Sequence, residues 1–104
     1  MPWVLSCFGK RKGGDSLKSD IMSEINKAFG RVVARLRKAK GQSQEDFAWS
    51  IDSDRKYMSD VELGKRNVSL NFVAKVAEGF GISVYNMIVL TEQEMRKMKV
   101  EQTV

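Results

Sequence analysis

The feature that most constrains the fold is a regular alternation of helix-starting and helix-ending residues along the middle of the chain. Ser or Asp stands at positions 43, 54, 69 and 83, and glycine stands at positions 41, 64 and 81. Ser and Asp are favoured N-caps because their side-chain oxygens accept hydrogen bonds from free N–H groups, whereas Gly commonly follows a helix end. The pattern predicts a series of short helices joined by tight turns.

Apolar residues recur within these segments at the spacing of one helix face. In the first segment they are Phe29, Val32, Val33 and Leu36. The later helices are predicted to bury Phe47, Ala48 and Ile51; then Met58 and Val61 with Tyr57 beside them; then Leu70, Val73, Val76, Ala77 and Phe80; and finally Val84, Met87 and Ile88. No segment alternates with a period of two residues, so the sequence predicts an all-α protein.

The length of 104 residues allows one domain. The two ends of the chain differ from its middle in their residue pattern. Residues 1–20 show no apolar periodicity and contain several Gly and Ser residues, so we expect a flexible basic arm, unless Met22 is the true start. Residues 21–90 are predicted to form the folded domain, and residues 91–104 a C-terminal helix and tail. Thr91 and Glu94 have the form of a capping box, which predicts a short sixth helix there.

Positive charge is concentrated at the beginning of the chain. The net charge is +5 overall, whereas residues 1–40 contain ten Lys or Arg and three Asp or Glu, a net charge of +7. Such a surface is either merely solvated or binds an anionic partner, phosphate or lipid. If the arm binds DNA, its candidate contacts are Lys10, Arg11 and Lys12.

The composition argues against catalysis and against metal binding. Histidine is absent, and Cys7 is the only cysteine, so the commonest general base and the usual sets of metal ligands are missing. No glycine-rich phosphate loop of the required form occurs. We therefore expect no enzyme activity, no cofactor, no metal and no small-molecule substrate. A lone cysteine and the lack of a long apolar run indicate a reducing, cytoplasmic location and no membrane association.

The third predicted helix has two chemically different faces. At about 100° per residue, Arg55, Ser59, Lys56 and Asp60 fall within an arc of about 140°, whereas Met58 and Val61 lie on the other side. Guanidinium, ammonium, hydroxyl and carboxylate groups on one helix face can read base edges in a major groove. An ordinary solvated helix face is the alternative.

A longer match supports the DNA interpretation. The runs 43–48 (SQEDFA) and 54–67 (DRKYMSDVELGKRN) resemble the signature of the Cro/phage-repressor (XRE-type) helix-turn-helix regulators. Phe29-Gly30 and Leu36-Arg37 agree with that family's first helix, and segments 69–70 and 80–83 with its fourth and fifth. The opening of the third predicted helix is similar to the corresponding segment of the restriction-modification controller proteins. The resemblance implies a five-helix lambda-repressor-like domain over about residues 27–90, preceding the short sixth helix.

The resemblance also implies roles for individual residues. Arg55, Lys56, Ser59 and Asp60 match the base-reading face, although Asp60 could instead orient a neighbouring Arg or Lys. Four residues match positions that contact the DNA backbone: Gln44, Lys65, Arg66 and Asn67. Arg37 and Glu62 match a structural pair between the first and third helices. Asp52 stands where the family usually has the turn glycine, which predicts a looser turn.

The implied function is a sequence-specific transcriptional regulator, a repressor or autoregulator, that binds double-stranded DNA as a homodimer. Apolar residues at 84, 85 and 87–90 exceed what one short helix needs, so part of them either faces a second subunit or fills the core. Two other functions remain open. The domain could be an antitoxin or anti-repressor that binds mainly protein, or the N-terminal residues Trp3 to Phe8 could bind anionic membranes.

Overall fold

The structure, a computed structural model, describes residues 15–103, with side chains placed from residue 24 to residue 100. Lys10, Arg11 and Lys12, the candidate contacts of the arm, lie outside the described residues. The described part forms five helices: α1 Asp15–Ala39, α2 Gln44–Ser50, α3 Arg55–Glu62, α4 Leu70–Phe80 and α5 Val84–Thr103. It contains no strand, which confirms the all-α prediction.

The predicted N-caps are all formed. Ser43 and Asp54 accept hydrogen bonds from the backbone N–H groups three residues later, at 3.0 and 2.6 Å. Ser69 and Ser83 cap α4 and α5 in the same way, at 3.1 and 3.0 Å. Each cap satisfies an N–H group that the helix itself leaves free, and such a cap is typically worth about 1 kcal/mol. The helix boundaries that orient α2 and α3 are therefore set locally.

The core lies between α1, α2, α3, α4 and the first part of α5. Most of the predicted inward residues are buried, and Phe47 stacks on Phe80 with ring centroids 4.3 Å apart. Leu70, Val84 and Ile88 were predicted to face inward, and this was wrong: their exposed fractions are 76%, 40% and 44%. Leu70 is the first residue of α4, beyond the end of the core, and the other two lie on the outer side of α5.

The separate sixth helix is also not found. Helix α5 continues without a break from Val84 to Thr103. The Thr91 side chain donates to the Met87 carbonyl oxygen at 2.9 Å, a bond made inside a continuous helix rather than at a cap. Nothing before Thr91 ends the helix, so the capping-box pattern lies in the helix interior.

The far half of α5 is fixed to α1 by Glu94. Its carboxylate accepts hydrogen bonds from Arg35 at 2.9 Å and from Arg31 at 3.4 Å. The Glu94 side chain is buried, while both arginines are half exposed. The hydrogen bond from Arg35, and to a smaller extent that from Arg31, holds the pKa of Glu94 below its usual range, although burial acts in the opposite direction.

The turn between α2 and α3 is closed by backbone hydrogen bonds. Asp52 has a φ of 59°, in the left-handed region. Its N–H donates to the Trp49 carbonyl at 3.1 Å, and the Ser53 N–H donates to the Ala48 carbonyl at 2.8 Å. This pair of bonds is a Schellman motif, with Asp52 at the position that glycine usually occupies. The prediction of a looser turn was therefore wrong.

Among the described helices, none is by itself both long and apolar enough to cross a bilayer, although Leu70–Phe80 and Val84–Val100, bent by 100°, meet that test as a pair.

Candidate nucleic-acid interface

Helix α3 is anchored by its apolar side and leaves its polar side open. Met58 and Val61 are fully buried, with exposed fractions of 0% and 1%. Arg55 and Lys56 are exposed, while Ser59 and Asp60 are half-buried. We call these four residues the reading face. The structure thus places on one open side of α3 the four residues that were expected to contact bases.

A shallow depression of about 240 Å³ lies between the beginning of α2 and the reading face. It is lined by Gln44, Arg55, Lys56 and Ser59. Three of these side chains offer N–H donors and the fourth a hydroxyl group. Two positive charges at the entrance favour an anion, and the donors match phosphate oxygens or the acceptor atoms of a guanine edge.

A buried ion pair joins the end of α1 to the end of α3, and Gln44 at the beginning of α2 binds the same carboxylate. Arg37 Nε donates to Glu62 at 2.7 Å, and Arg37 Nη2 donates to its other oxygen at 3.1 Å. The Gln44 amide donates to the same carboxylate at 2.9 Å, and Arg37 Nη1 donates to the Gln42 carbonyl at 2.8 Å. The expected contact between Arg37 and Glu62 is present. Because an amide has two N–H donors, Gln44 keeps one for a further partner.

Helix α1 approaches α3 closely at Gly30. A Cβ atom there would lie 2.6 Å from the Glu62 carbonyl oxygen, closer than real Cβ contacts. The end of α3 therefore rests directly on the backbone of α1. Sequence reasoning noted Gly30 only within the family resemblance; an isolated glycine inside a helix is the signal that could have indicated close packing.

Arg66 is held beside α3 by two neighbouring side chains. Its Nε atom lies 3.3 Å from Asp60 Oδ2, and its guanidinium carbon lies 5.5 Å from the centroid of the Tyr57 ring. Tyr57 in turn packs edge-on against Phe72, with centroids 5.1 Å apart. The Asp60 carboxylate thus points towards Arg66, which is the alternative that the sequence left open for this residue.

Two further polar residues of the loop between α3 and α4 are exposed, while Val68 packs against the core. Lys65 and Asn67 both face solvent. The Asn67 side-chain carbonyl accepts a hydrogen bond of 2.6 Å from the amide of Asn26 on α1. Sequence reasoning did not select Asn26, and nothing in the local sequence pattern indicates a contact between residues this far apart.

Comparison with known proteins gives matches that agree with this geometry. Residues 28–84 match the family model described as a helix-turn-helix domain. The control protein C.MunI of a Mycoplasma species is 45% identical over 74 residues, which are 70% of this chain and 100% of that protein. The restriction-modification controller protein C.AhdI from Aeromonas hydrophila is 40% identical, with a TM-score of 0.57, over 60% of this chain and 90% of that one.

A second solved structure includes DNA. The controller protein C.Esp1396I, solved as a tetramer with its natural 35 base-pair operator, superimposes with a TM-score of 0.62 at 25% identity. The match covers 68% of this chain and 93% of that chain.

Proposed function

Because this chain belongs to the helix-turn-helix family, in the branch of the restriction-modification controller proteins, we propose that it is a sequence-specific transcriptional regulator that reads DNA with α3. The observation that carries this proposal is the two-sided α3, buried at Met58 and Val61 and open at Arg55 and Lys56. A short helix whose buried side packs on the protein core can insert its exposed side into a major groove about 12 Å wide.

The reading face supplies the base contacts in this proposal. Arg55 and Lys56 donate to guanine O6 and N7, the commonest specific contact in major grooves, and Ser59 contacts a neighbouring base or phosphate. Asp60 contributes by orienting Arg66 and by accepting from a cytosine amino group where one lies within reach. The salt bridge to Arg66 supports the first of these two roles.

Backbone contacts fix the position of α3 in the groove. Gln44 binds a phosphate with its remaining N–H donor, while Lys65, Arg66 and Asn67 contact the backbone from the loop after α3. The exposure of the three loop residues and the position of Gln44 beside the reading face support these assignments. Arg37 and Glu62 support the site by joining α1 to α3.

The functional unit in our proposal is a homodimer on a symmetric operator. Val84, Tyr85 and Ile88 form an apolar patch on the outer side of α5, which we call the dimer patch, with exposed fractions of 40%, 75% and 44%. Burial of this patch against a second copy brings two reading faces to successive major grooves, about 34 Å apart. The assembly of C.Esp1396I as a tetramer on its operator supports self-association in this branch of the family.

The remaining parts of the proposal concern the cell and the ends of the chain. We propose that the protein is a cytoplasmic repressor or autoregulator. The relatives described above are control or controller proteins, and the proposed target is operator DNA. Residues 21–90 form the DNA-binding unit, the first 20 residues serve as an arm whose last residues already belong to α1, and residues 91–104 continue α5 at the C-terminal end of the fold. The match of the helix-turn-helix model to residues 28–84 supports the central boundary.

Selection of bound duplexes from a random pool, at about physiological salt, tests this function directly. We expect a two-fold symmetric motif whose half-sites lie about one helical turn apart. Recovery of unrelated sequences with equal affinities would contradict sequence-specific regulation, and a motif without symmetry would contradict the homodimer.

A further inference from the structure

The middle of α1 contacts the loop that is proposed to bind DNA phosphates. Asn26 lies on α1 and its amide donates to Asn67 of the loop at 2.6 Å. One residue further along, Lys27 packs against Gly64: a Cβ atom on Gly64 would lie 2.7 Å from Lys27 Cγ and 3.0 Å from Lys27 Cα. Asn26 and Lys27 precede residue 28, where the match to the helix-turn-helix domain begins.

Gly64 explains how α1 comes so close to the loop. Its φ of 79° is in the left-handed region, which glycine adopts without the cost that a Cβ atom brings. The missing side chain leaves space for the stem of Lys27. Lys65 follows Gly64 directly, so Lys27 lies at the edge of the same surface as Lys65, Arg66 and Asn67.

The charge of Lys27 is available to a partner outside the protein. The residue is exposed, and no carboxylate in residues 24–100 forms an ion pair with it. A lysine stem that packs on protein while its ammonium stays in water is a common arrangement at a surface. The long side chain is therefore partly positioned before any ligand binds.

The hydrogen bond from Asn26 determines which end of the Asn67 amide faces outward. An asparagine side chain carries one carbonyl oxygen and one NH₂ group with two donors. Since the Asn67 oxygen accepts from Asn26, its NH₂ group is the end left for a ligand. Phosphate oxygens accept hydrogen bonds and do not donate them, so this orientation suits a phosphate and does not suit a donor.

We propose that Asn26 and Lys27 on α1 form an additional phosphate-binding site of the DNA interface, just before the residues matched by the helix-turn-helix model, in which Lys27 binds a backbone phosphate directly and Asn26 orients Asn67 towards another. The inference rests on the proposed DNA-binding function. Duplex DNA carries one phosphate charge for about every 1.7 Å of its axis, so a surface that contacts one phosphate at Lys65 has others close by.

Salt dependence of binding to a random duplex tests the role of Lys27. We expect Lys27→Ala to reduce the slope of log K against log salt by about 0.9, as expected when one phosphate contact is lost. Between about 50 and 200 mM salt this corresponds to a roughly three- to fourfold smaller loss of affinity than in the parent protein. Lys65→Ala, measured in parallel, reports whether the loop itself contacts phosphate.

Lys75→Ala is the matched control. Lys75 is an exposed lysine on α4, whose buried side is formed by Phe72, Val73, Val76 and Ala77, so its removal also subtracts one positive charge. We expect no change of slope for this variant. If the slope decreased equally in Lys75→Ala and Lys27→Ala, the effect would come from the loss of net charge alone, and the proposal would be overturned.

Two substitutions test Asn26. In Asn26→Ala the orienting hydrogen bond is lost, and in Asn26→Asp the carboxylate accepts from the Asn67 NH₂ group and adds a negative charge. We expect affinity for random DNA to fall in both, with the larger decrease in Asn26→Asp, while thermal unfolding of Asn26→Ala stays close to that of the parent. Equal affinities for all three proteins would overturn the orienting role.

The outcomes separate this inference from the function on which it rests. A lower slope for Lys65→Ala together with an unchanged slope for Lys27→Ala overturns the α1 site and leaves the regulator function intact. No measurable DNA binding by the parent protein overturns both.

Discussion

Arg55 and Asp54 are neighbours in the sequence and perform different tasks at the start of α3. The Asp54 carboxylate accepts from a backbone N–H and fixes where the helix begins. Arg55 is the first helical residue and extends into the depression beside Gln44. Because the cap is set by a separate residue, Arg55 can be changed without removing the helix start.

Replacement of Arg55 by Ala should therefore affect recognition and not folding. We expect a loss of about 1–3 kcal/mol in binding to the selected operator, and discrimination at one base pair of each half-site should disappear. Competition binding with single-base variants of the operator measures both effects.

Lys65→Ala provides the comparison for Arg55→Ala. It should weaken binding to operator and random duplexes alike, because phosphate contacts carry no base information. If Arg55→Ala lowered affinity for all duplexes to the same extent, Arg55 would be a backbone contact and not a base-reading residue.

Among the helices, features set by neighbouring residues were predictable from the sequence. The N-caps at Ser43, Asp54, Ser69 and Ser83 are formed, because a cap depends on residues three positions apart. The face of α3 was likewise predictable, since Met58 and Val61 supply its only strongly apolar side.

Features that depend on tertiary packing were not predictable. Periodicity shows which side of α4 faces inward but not where the core ends along the helix. Leu70 was therefore predicted to be buried, although it is exposed. The Thr91 and Glu94 pattern fits both a cap and a helix interior, and the interior is favoured here because the later part of α5 packs on α1 through Glu94. The bond between Asn26 and Asn67 joins segments that no local pattern relates.

The turn between α2 and α3 offers a test of backbone strain. Asp52 adopts a φ of 59°, a region that costs a residue with a Cβ atom roughly 1 kcal/mol or more, with Asp among the more tolerant. We expect Asp52→Gly to raise the free energy of unfolding by up to about 1 kcal/mol, because glycine removes this cost. Urea unfolding measures the change.

Asp52→Ala is the companion variant. It keeps a Cβ atom and loses the local hydrogen-bonding capacity of Asp, so it should be less stable than the parent protein. The strain argument fails if Asp52→Gly is also destabilised to the same degree.

Contact between α1 and α5 makes stability depend on pH through Glu94. Its folded pKa is lowered, so the stabilisation is fully present above the unfolded Glu pKa of about 4.3 and is lost as the pH falls through the lower folded value. We expect Glu94→Gln to be less stable at pH 7 by about 1–2 kcal/mol, a modest figure because Arg31 and Arg35 are half exposed.

Unfolding curves at several pH values test the role of Glu94. The difference between parent and Glu94→Gln should be constant at neutral pH and should shrink below about pH 4, where Glu94 becomes protonated. A difference that persists unchanged at low pH would assign the effect to packing and not to charge.

On the scale of the whole molecule, one chain carries one reading face. The described residues extend over 42 × 29 × 24 Å, and successive major grooves on one side of a duplex are about 34 Å apart. Two copies side by side are therefore large enough to span two half-sites. The dimer patch on α5 is the apolar surface that we propose for such an arrangement.

Ile88→Glu tests this arrangement, because a buried unpaired carboxylate opposes association. We expect a folded monomer in analytical ultracentrifugation, with a large loss of affinity for the two-half-site operator. Gln93→Glu is the control, since Gln93 is exposed on the later part of α5 and its replacement adds the same negative charge. An Ile88→Glu variant that sediments as a dimer would exclude this patch as the interface.

The close contact at Gly30 also bears on how such a protein can change its target. Any side chain there would push the end of α3 away, so the position cannot vary freely. Arg55 and Lys56 are exposed at the other end of α3, away from its buried residues Met58 and Val61. Under the proposed function, new operator sequences can therefore be acquired by exchanging a few exposed residues of α3, while the packing that positions the helix stays the same.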